Sequence, residues 1–133
     1  MRVPGFQIDV NVDEVDWKPT RVEGVDWVLL ASEEGDRSSS RGATVLIRMA
    51  PGRGYPPHRH LGVEEVLILK GGYRDEDGEH VAGTYLRYAP GSVHAPVALG
   101  DPGRPEGKDN PACVLYACAR EGIEPLDPDG ASG

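Results

Sequence analysis

The sequence predicts an all-β fold, a sandwich or barrel of short strands in a single domain. Three observations carry that prediction. The chain has 133 residues, the size of one ordinary domain with one core. It holds 18 glycines and 12 prolines, about twice the usual share, which argues against long helices and for tight turns. No window of a dozen residues keeps apolar side chains at helical spacing without a Gly or Pro break, while period-two alternation recurs between turn signals.

The elements follow in order. Ile8, Val10 and Val12 alternate with polar residues, so the acidic stretch 3–19 is expected to hold an N-terminal edge strand, ending before Pro19. Residues 25–31 (VDWVLLA) read as a strand, 32–42 (SEEGDRSSSRG) as a polar loop, and 43–50 (ATVLIRMA) as the next strand. Alternation in the latter puts Ala43, Val45, Ile47 and Met49 on one face and Thr44, Leu46 and Arg48 on the other. Residues 52–57 (GRGYPP) must be extended or turned, because Pro56 and Pro57 supply no amide donors. The strand 65–70 (EVLILK) is apolar on both faces and so is expected to be covered on both, the second cover being another subunit. Asp77-Gly78 marks a hairpin turn. Strands are expected at 84–88, 93–98 and 112–119, with a loop at 100–111 and a frayed tail from Pro125. The boundaries are an N-terminal arm with its edge strand at 1–24, a barrel at 25–120, and a C-terminal tail at 121–133.

Composition narrows the function. A net charge of −8 disfavours nucleic acid and anionic membranes as partners and suits a soluble cytoplasmic protein. The longest apolar run is the eight residues 112–119, far below the roughly 20 of a spanning helix, and MRVPGFQIDV lacks the apolar core of a signal peptide. Cys113 and Cys118 lie five apart in one expected strand and point to opposite faces, so they are read as reduced, packed thiols. No GxSxG or phosphate loop occurs.

The chemistry lies in the histidines. His58 and His60 sit at i and i+2 in an extended segment and face one side. Glu64 shares parity with Val66 and Ile68, which makes it, and not Glu65, the inward carboxylate. His94 opens a later strand. Three neutral imidazoles and one carboxylate converging on one point are a transition-metal donor set with positions left open. The bland alternatives are a polar strand face for His58 and His60, a solvated turn for Glu64 and a hydrogen-bonded core histidine at 94. His80, beyond the Asp77-Gly78 turn, is expected outside the site. The ligating imidazoles must be neutral, so metal affinity is expected to fall as pH drops through roughly 6.

The pattern Gly52-x5-His58-x-His60-x3-Glu64-x6-Gly71 resembles the first cupin motif, and Gly83-x5-Ala89-Pro90-Gly91-x2-His94 the second. The second motif departs at Ala89, where cupins usually carry proline, and at Ala98, where asparagine is frequent. The segment from His58 to Pro96 is similar to the cupin domain of ChrR-type anti-sigma factors, within a resemblance that runs over about 25–119. It implies a double-stranded β-helix, a jelly-roll-like cupin barrel, with His58, His60, Glu64 and His94 as ligands of one divalent ion: iron or zinc ahead of manganese or nickel. ChrR-type cupin domains bind zinc, and related small cupins include iron-dependent dioxygenases that cleave diketones. The helical sigma-binding domain of ChrR-type factors, with its own zinc ligands, is not expected within these 133 residues, in which no His or Cys precedes His58.

Two functions follow from different classes, with a structural cupin holding an empty site as a third. The first is a metal-dependent dioxygenase-like enzyme acting on a small ketone, diketone or phenolic substrate, with Arg48, Tyr55, Tyr85, Arg87 and Tyr116 as candidate polar groups of its pocket. The second is a non-catalytic, zinc-holding sensor or regulatory module. Either takes a small-molecule ligand. A homodimer is expected on sheet faces or an exchanged N-terminal strand, from the two-sided EVLILK strand and the early run Phe6, Ile8, Val10 and Val12.

Overall fold

The computed structural model describes residues 2–3, 7–8, 10–32 and 42–126. Among them are fourteen strands and no helix: β1 (Arg2–Val3), β2 (Gln7–Ile8), β3 (Lys18–Pro19), β4 (Val25–Ser32), β5 (Ala43–Met49), β6 (His58–His60), β7 (Glu64–Lys70), β8 (Gly72–Asp75), β9 (Gly78–Val81), β10 (Tyr85–Tyr88), β11 (Val93–His94), β12 (Val97–Ala98), β13 (Cys113–Ala119) and β14 (Ile123–Pro125). No helix is long and apolar enough to cross a membrane among the described residues.

Every paired strand is antiparallel. One six-stranded sheet runs β10-β7-β13-β5-β4-β3, and two three-stranded sheets run β11-β6-β14 and β12-β8-β9. The expected all-β barrel is what forms among the described residues. Alternation decides which side of the large sheet turns inward. Val45, Ile47 and Met49 of β5, Val66 of β7, and Leu115 and Ala117 of β13 all line one cavity of about 420 Å³. His58 and Ile123, from the β11-β6-β14 sheet, and Tyr73, from the β12-β8-β9 sheet, close it from the other side. Met49 on the cavity wall and Ile68 and Cys113 beside it are fully buried, and burying a side chain such as Met49 or Ile68 contributes roughly 1.5–3 kcal/mol. Gly71 ends β7 with φ +63°, and a Cβ there would sit 2.4 Å from the Ala112 carbonyl oxygen, so the chain can turn into β8 against β13 only as glycine.

Three expectations change at their edges. Val10 and Val12 lie outside any strand; the N-terminal pairing is Arg2–Val3 with Gln7–Ile8. Residues 12–17 instead run along the outer side of the large sheet, where Val12 and Trp17 share a recess with Arg48, Lys70 and Val114. The segment 93–98 is two short strands, because the Ala95-Pro96 step interrupts the ladder: β11 pairs with β6 and β12 with β8. Ile123–Pro125 is the third strand of the β6 sheet, with Pro125 opposite His58. The frayed tail expected beyond it lies outside the described residues from 127 onward, as do loop residues 33–41 and Phe6.

Candidate metal centre

β6 is the central strand of its sheet, flanked by β11 and β14. Its His58 and His60 are both buried while Arg59 between them is exposed, as the period-two reading requires. His94 lies opposite His58 across the β11–β6 pair. Glu64 enters from the first position of β7, between Tyr88 of β10 and Ala119 of β13. The four side chains each offer a ligand atom, and these atoms lie within 4.8 Å of one another. The ring centroids of His58 and His94 are 4.6 Å apart, and those of His60 and His94 4.8 Å.

The protein fixes which nitrogen each ring offers. His58 Nδ1 donates to the Pro56 carbonyl at 3.0 Å, since a carbonyl only accepts. The Ser92 hydroxyl gives its one proton to the Ala89 carbonyl at 2.6 Å, so it accepts from His60 Nδ1 at 2.9 Å. His94 Nδ1 donates to Asp75 Oδ2 at 3.1 Å. In the neutral rings this leaves all three Nε2 lone pairs free for the centre, the arrangement that holds a metal-ligating histidine in register. His60 Nε2 is fully buried and makes no hydrogen bond, although Glu64 Oε1 is 3.0 Å away; the pair is close but not aligned as donor and acceptor. Two facing lone pairs at that distance in a buried site fit a cation placed among them.

Burial sets the protonation. It pushes His58 down from the usual 6.5 to about 4, against the Pro56 hydrogen bond, with the charge of a protonated His94 acting in the same direction. It also lowers His94, against its bond to Asp75. Burial thus favours the neutral form of His58. Asp75 has a side chain only 1% exposed. Burial opposes its charge, but hydrogen bonds from His80, His94, the Asp77 amide and Tyr88 outweigh that and hold its carboxyl below the usual range.

The turn that departs from the second cupin motif is built to dock on His60. Ser92 N donates to the Ala89 carbonyl at 3.1 Å, closing a β-turn with Pro90 second and Gly91 third at φ +87°, the type II arrangement. From that turn the Gly91 amide donates to His60 O at 2.7 Å, and His60 N donates to Ser92 O at 2.8 Å. Proline at 90 and not at 89 is what this turn needs.

Of the five candidate pocket residues, Tyr55 alone lines the cavity, edge-on to His58 with centroids 5.3 Å apart. Arg48 pairs with Asp26 and Glu106 on the outer side. Tyr85 donates to Glu65 at 2.7 Å, also outside, and Arg87 and Tyr116 are exposed. Glu65 thus faces away from Glu64, as parity implied. His80 is not in the cluster, yet it is not remote: its Nε2 is 2.9 Å from Asp75 Oδ1. Sequence reasoning missed Asp75, Ser92, Tyr73 and Tyr88. Tyr88 stacks on His60 at 4.8 Å and 26°, and its hydroxyl donates to Asp75 Oδ2 and is hydrogen-bonded to the Tyr73 hydroxyl. Asp75 leads into the Asp77-Gly78 turn with no local signal of its burial, and only the hairpin's docking brings it to His94. The thiols are free, with Cys113 buried and pushed up to about 12 by burial.

The model of the ChrR cupin-like domain family matches residues 7–103. No curated protein matches the chain. Among solved structures it is similar to a chain of the Rhodobacter sphaeroides SigE complex with the anti-sigma factor ChrR, with 26% identity, 82% of this chain and 50% of that chain covered, and a TM-score of 0.61. The chain therefore spans half the length of that relative. It shares its fold with an acetylacetone dioxygenase from Acinetobacter johnsonii, at 16% identity, 98% and 83% coverage and a TM-score of 0.69. It shares it also with the polyketide cyclase RemF from Streptomyces resistomycificus, at 18% identity, 90% and 85% coverage and a TM-score of 0.65.

Proposed function

The chain belongs to the ChrR cupin-like domain family, and from that premise we propose that it is a metal-dependent, dioxygenase-like cupin. His58, His60, Glu64 and His94 hold one divalent ion, iron or zinc ahead of manganese or nickel. The substrate is a small ketone, diketone or phenolic compound. One observation carries the reading: three Nε2 lone pairs and a carboxylate converge, with the buried His60 Nε2 lacking any hydrogen bond, at the wall of an apolar cavity. An ion bound by this nitrogen and oxygen set would supply Lewis-acid chemistry toward an oxygen-donor ligand and, where the ion is redox-active as iron is and zinc is not, electron transfer with dioxygen as oxidant.

The chain's own residues supply the rest. Burial keeps His58 and His94 neutral, so their lone pairs are available. Trp27, Val45, Ile47 and Leu115 line the cavity and select a compact apolar body, within the 300–1,000 Å³ range of ligand pockets. Tyr55, raised by burial, stays protonated and donates a hydrogen bond to a ligand oxygen beside His58. The proposal extends to a homodimer in the cytoplasm. Leu67 has Tyr85 and Tyr116 as its cross-strand partners, and together they present an exposed apolar row on the outer face. The free thiols and acidic balance suit a reducing compartment.

A second reading, a zinc-holding sensor module, is favoured by the likeness to a chain of the SigE–ChrR complex. Metal analysis after anaerobic purification, followed by oxygen-uptake screening with diketones and phenolic ketones, separates the two. Iron with uptake supports the enzyme. Zinc with ligand binding and no uptake supports the sensor. A protein that retains no divalent metal sinks both.

A further inference from the structure

We infer that Asp75 is a positioning residue that sets the tautomer of His94, and that the Asp77 amide decides which of its oxygens does so. Asp75 stands at the end of β8, opposite Gly78 across the hairpin, with its side chain almost fully buried. Its Oδ1 accepts from the Asp77 amide at 3.0 Å and from His80 Nε2 at 2.9 Å. Its Oδ2 accepts from the Tyr88 hydroxyl at 3.0 Å and from His94 Nδ1 at 3.1 Å. An ionised carboxylate has no proton to give, so both rings must donate. Tyr73 in turn donates to the Tyr88 hydroxyl. Four donors thus meet on one carboxylate, and one of them is a ring whose other nitrogen belongs to the candidate metal centre.

The four donors differ in what they can do if the acceptor changes. The Tyr88 hydroxyl can rotate, and His80 can move its proton to the other nitrogen. The Asp77 amide can do neither. In an Asp75→Asn protein the side-chain carbonyl is therefore held at the Asp77 amide, and the new NH₂ group faces Tyr88 and His94. His94 can meet that donor only by presenting a bare Nδ1, which moves its proton to Nε2. A near-isosteric change outside the four-residue cluster then aims an N–H into the centre. His80 braces Asp75 from the other oxygen and is not needed for the tautomer, because the amide shares that oxygen.

The primary test is ¹⁵N imidazole NMR of the metal-free protein at neutral pH, which reads the tautomer without any metal or turnover. Wild type is expected to show His94 protonated at Nδ1; protonation at Nε2 overturns the inference regardless of any variant. Asp75→Asn is expected to show the reverse tautomer, and His80→Ala the wild-type one. An unchanged tautomer in a folded Asp75→Asn protein also overturns it. A second measurement rests on the metal-site reading: zinc affinity, by competition with a chromophoric chelator. It should fall about 10–100-fold in Asp75→Asn and by no more than about threefold in His80→Ala. An inverted tautomer with unaltered zinc affinity would uphold the role of Asp75 and overturn the metal-site reading instead.

Discussion

Acid should destabilise the metal-free protein through His58 well before most carboxylates titrate. The structure holds His58 at about 4 against 6.5 in the unfolded chain, so the unfolded state binds the proton more tightly. Stability from this group is fully present above about pH 6.5 and is lost as pH falls toward 4. The linkage relation gives a loss of about 2 kcal/mol by pH 5 and about 3 kcal/mol by pH 4, reached gradually. His94, lowered by the same burial, adds a loss of the same sign. Urea unfolding of the metal-free protein at pH 7.5, 6, 5 and 4.5, beside a His58→Gln protein, isolates the term because carboxylate titrations are common to both. The difference between the two curves should narrow as pH drops. Parallel curves over that range would refute the claim that His58 is buried neutral in this fold.

Three further outcomes are expected. Glu64→Gln should weaken metal retention, and His94→Ala, which removes the single ligand from the second motif, should cost more than either Glu64→Gln or Glu65→Gln. Glu65→Gln should leave retention unchanged because that side chain is engaged with Tyr85 and Arg120 outside; metal analysis checks the order, and metal loss in His80→Ala with retention in His94→Ala would overturn the assignment. Ile47→Phe should narrow the cavity without touching a ligand residue, so metal content stays constant while ligand binding or turnover falls about tenfold; equal loss of metal would mean the substitution disturbs the fold instead. Sedimentation at micromolar concentration should show a species of twice the 14.3 kDa chain, the concentration at which a standard interface holds. A Leu67→Glu, Tyr116→Glu double variant should then run as a monomer, and a monomeric wild type ends the dimer proposal.

What the sequence alone determined is what obeys local periodicity. The period of two put Ala43, Val45, Ile47 and Met49 on one face and separated Glu64 from Glu65. It also aimed His58 and His60 together, because side-chain direction along a strand depends only on the strand's own backbone. The same locality made the Asp77-Gly78 turn legible. Where an interruption was itself long-range in effect, the reading failed: Ala95-Pro96 splits one expected strand between two sheets, and Val10 and Val12 alternate like a strand but have no pairing partner among the described residues. The tertiary structure alone decided how the imidazoles of the candidate centre are held. Ser92 reaches His60 across 32 residues and Asp75 reaches His94 across 19, and nothing local in an acidic turn says that one of its carboxylates will be buried. Hydrogen-bond partners of that kind are chosen by which strands lie side by side, a property of the closed barrel and not of any segment in it.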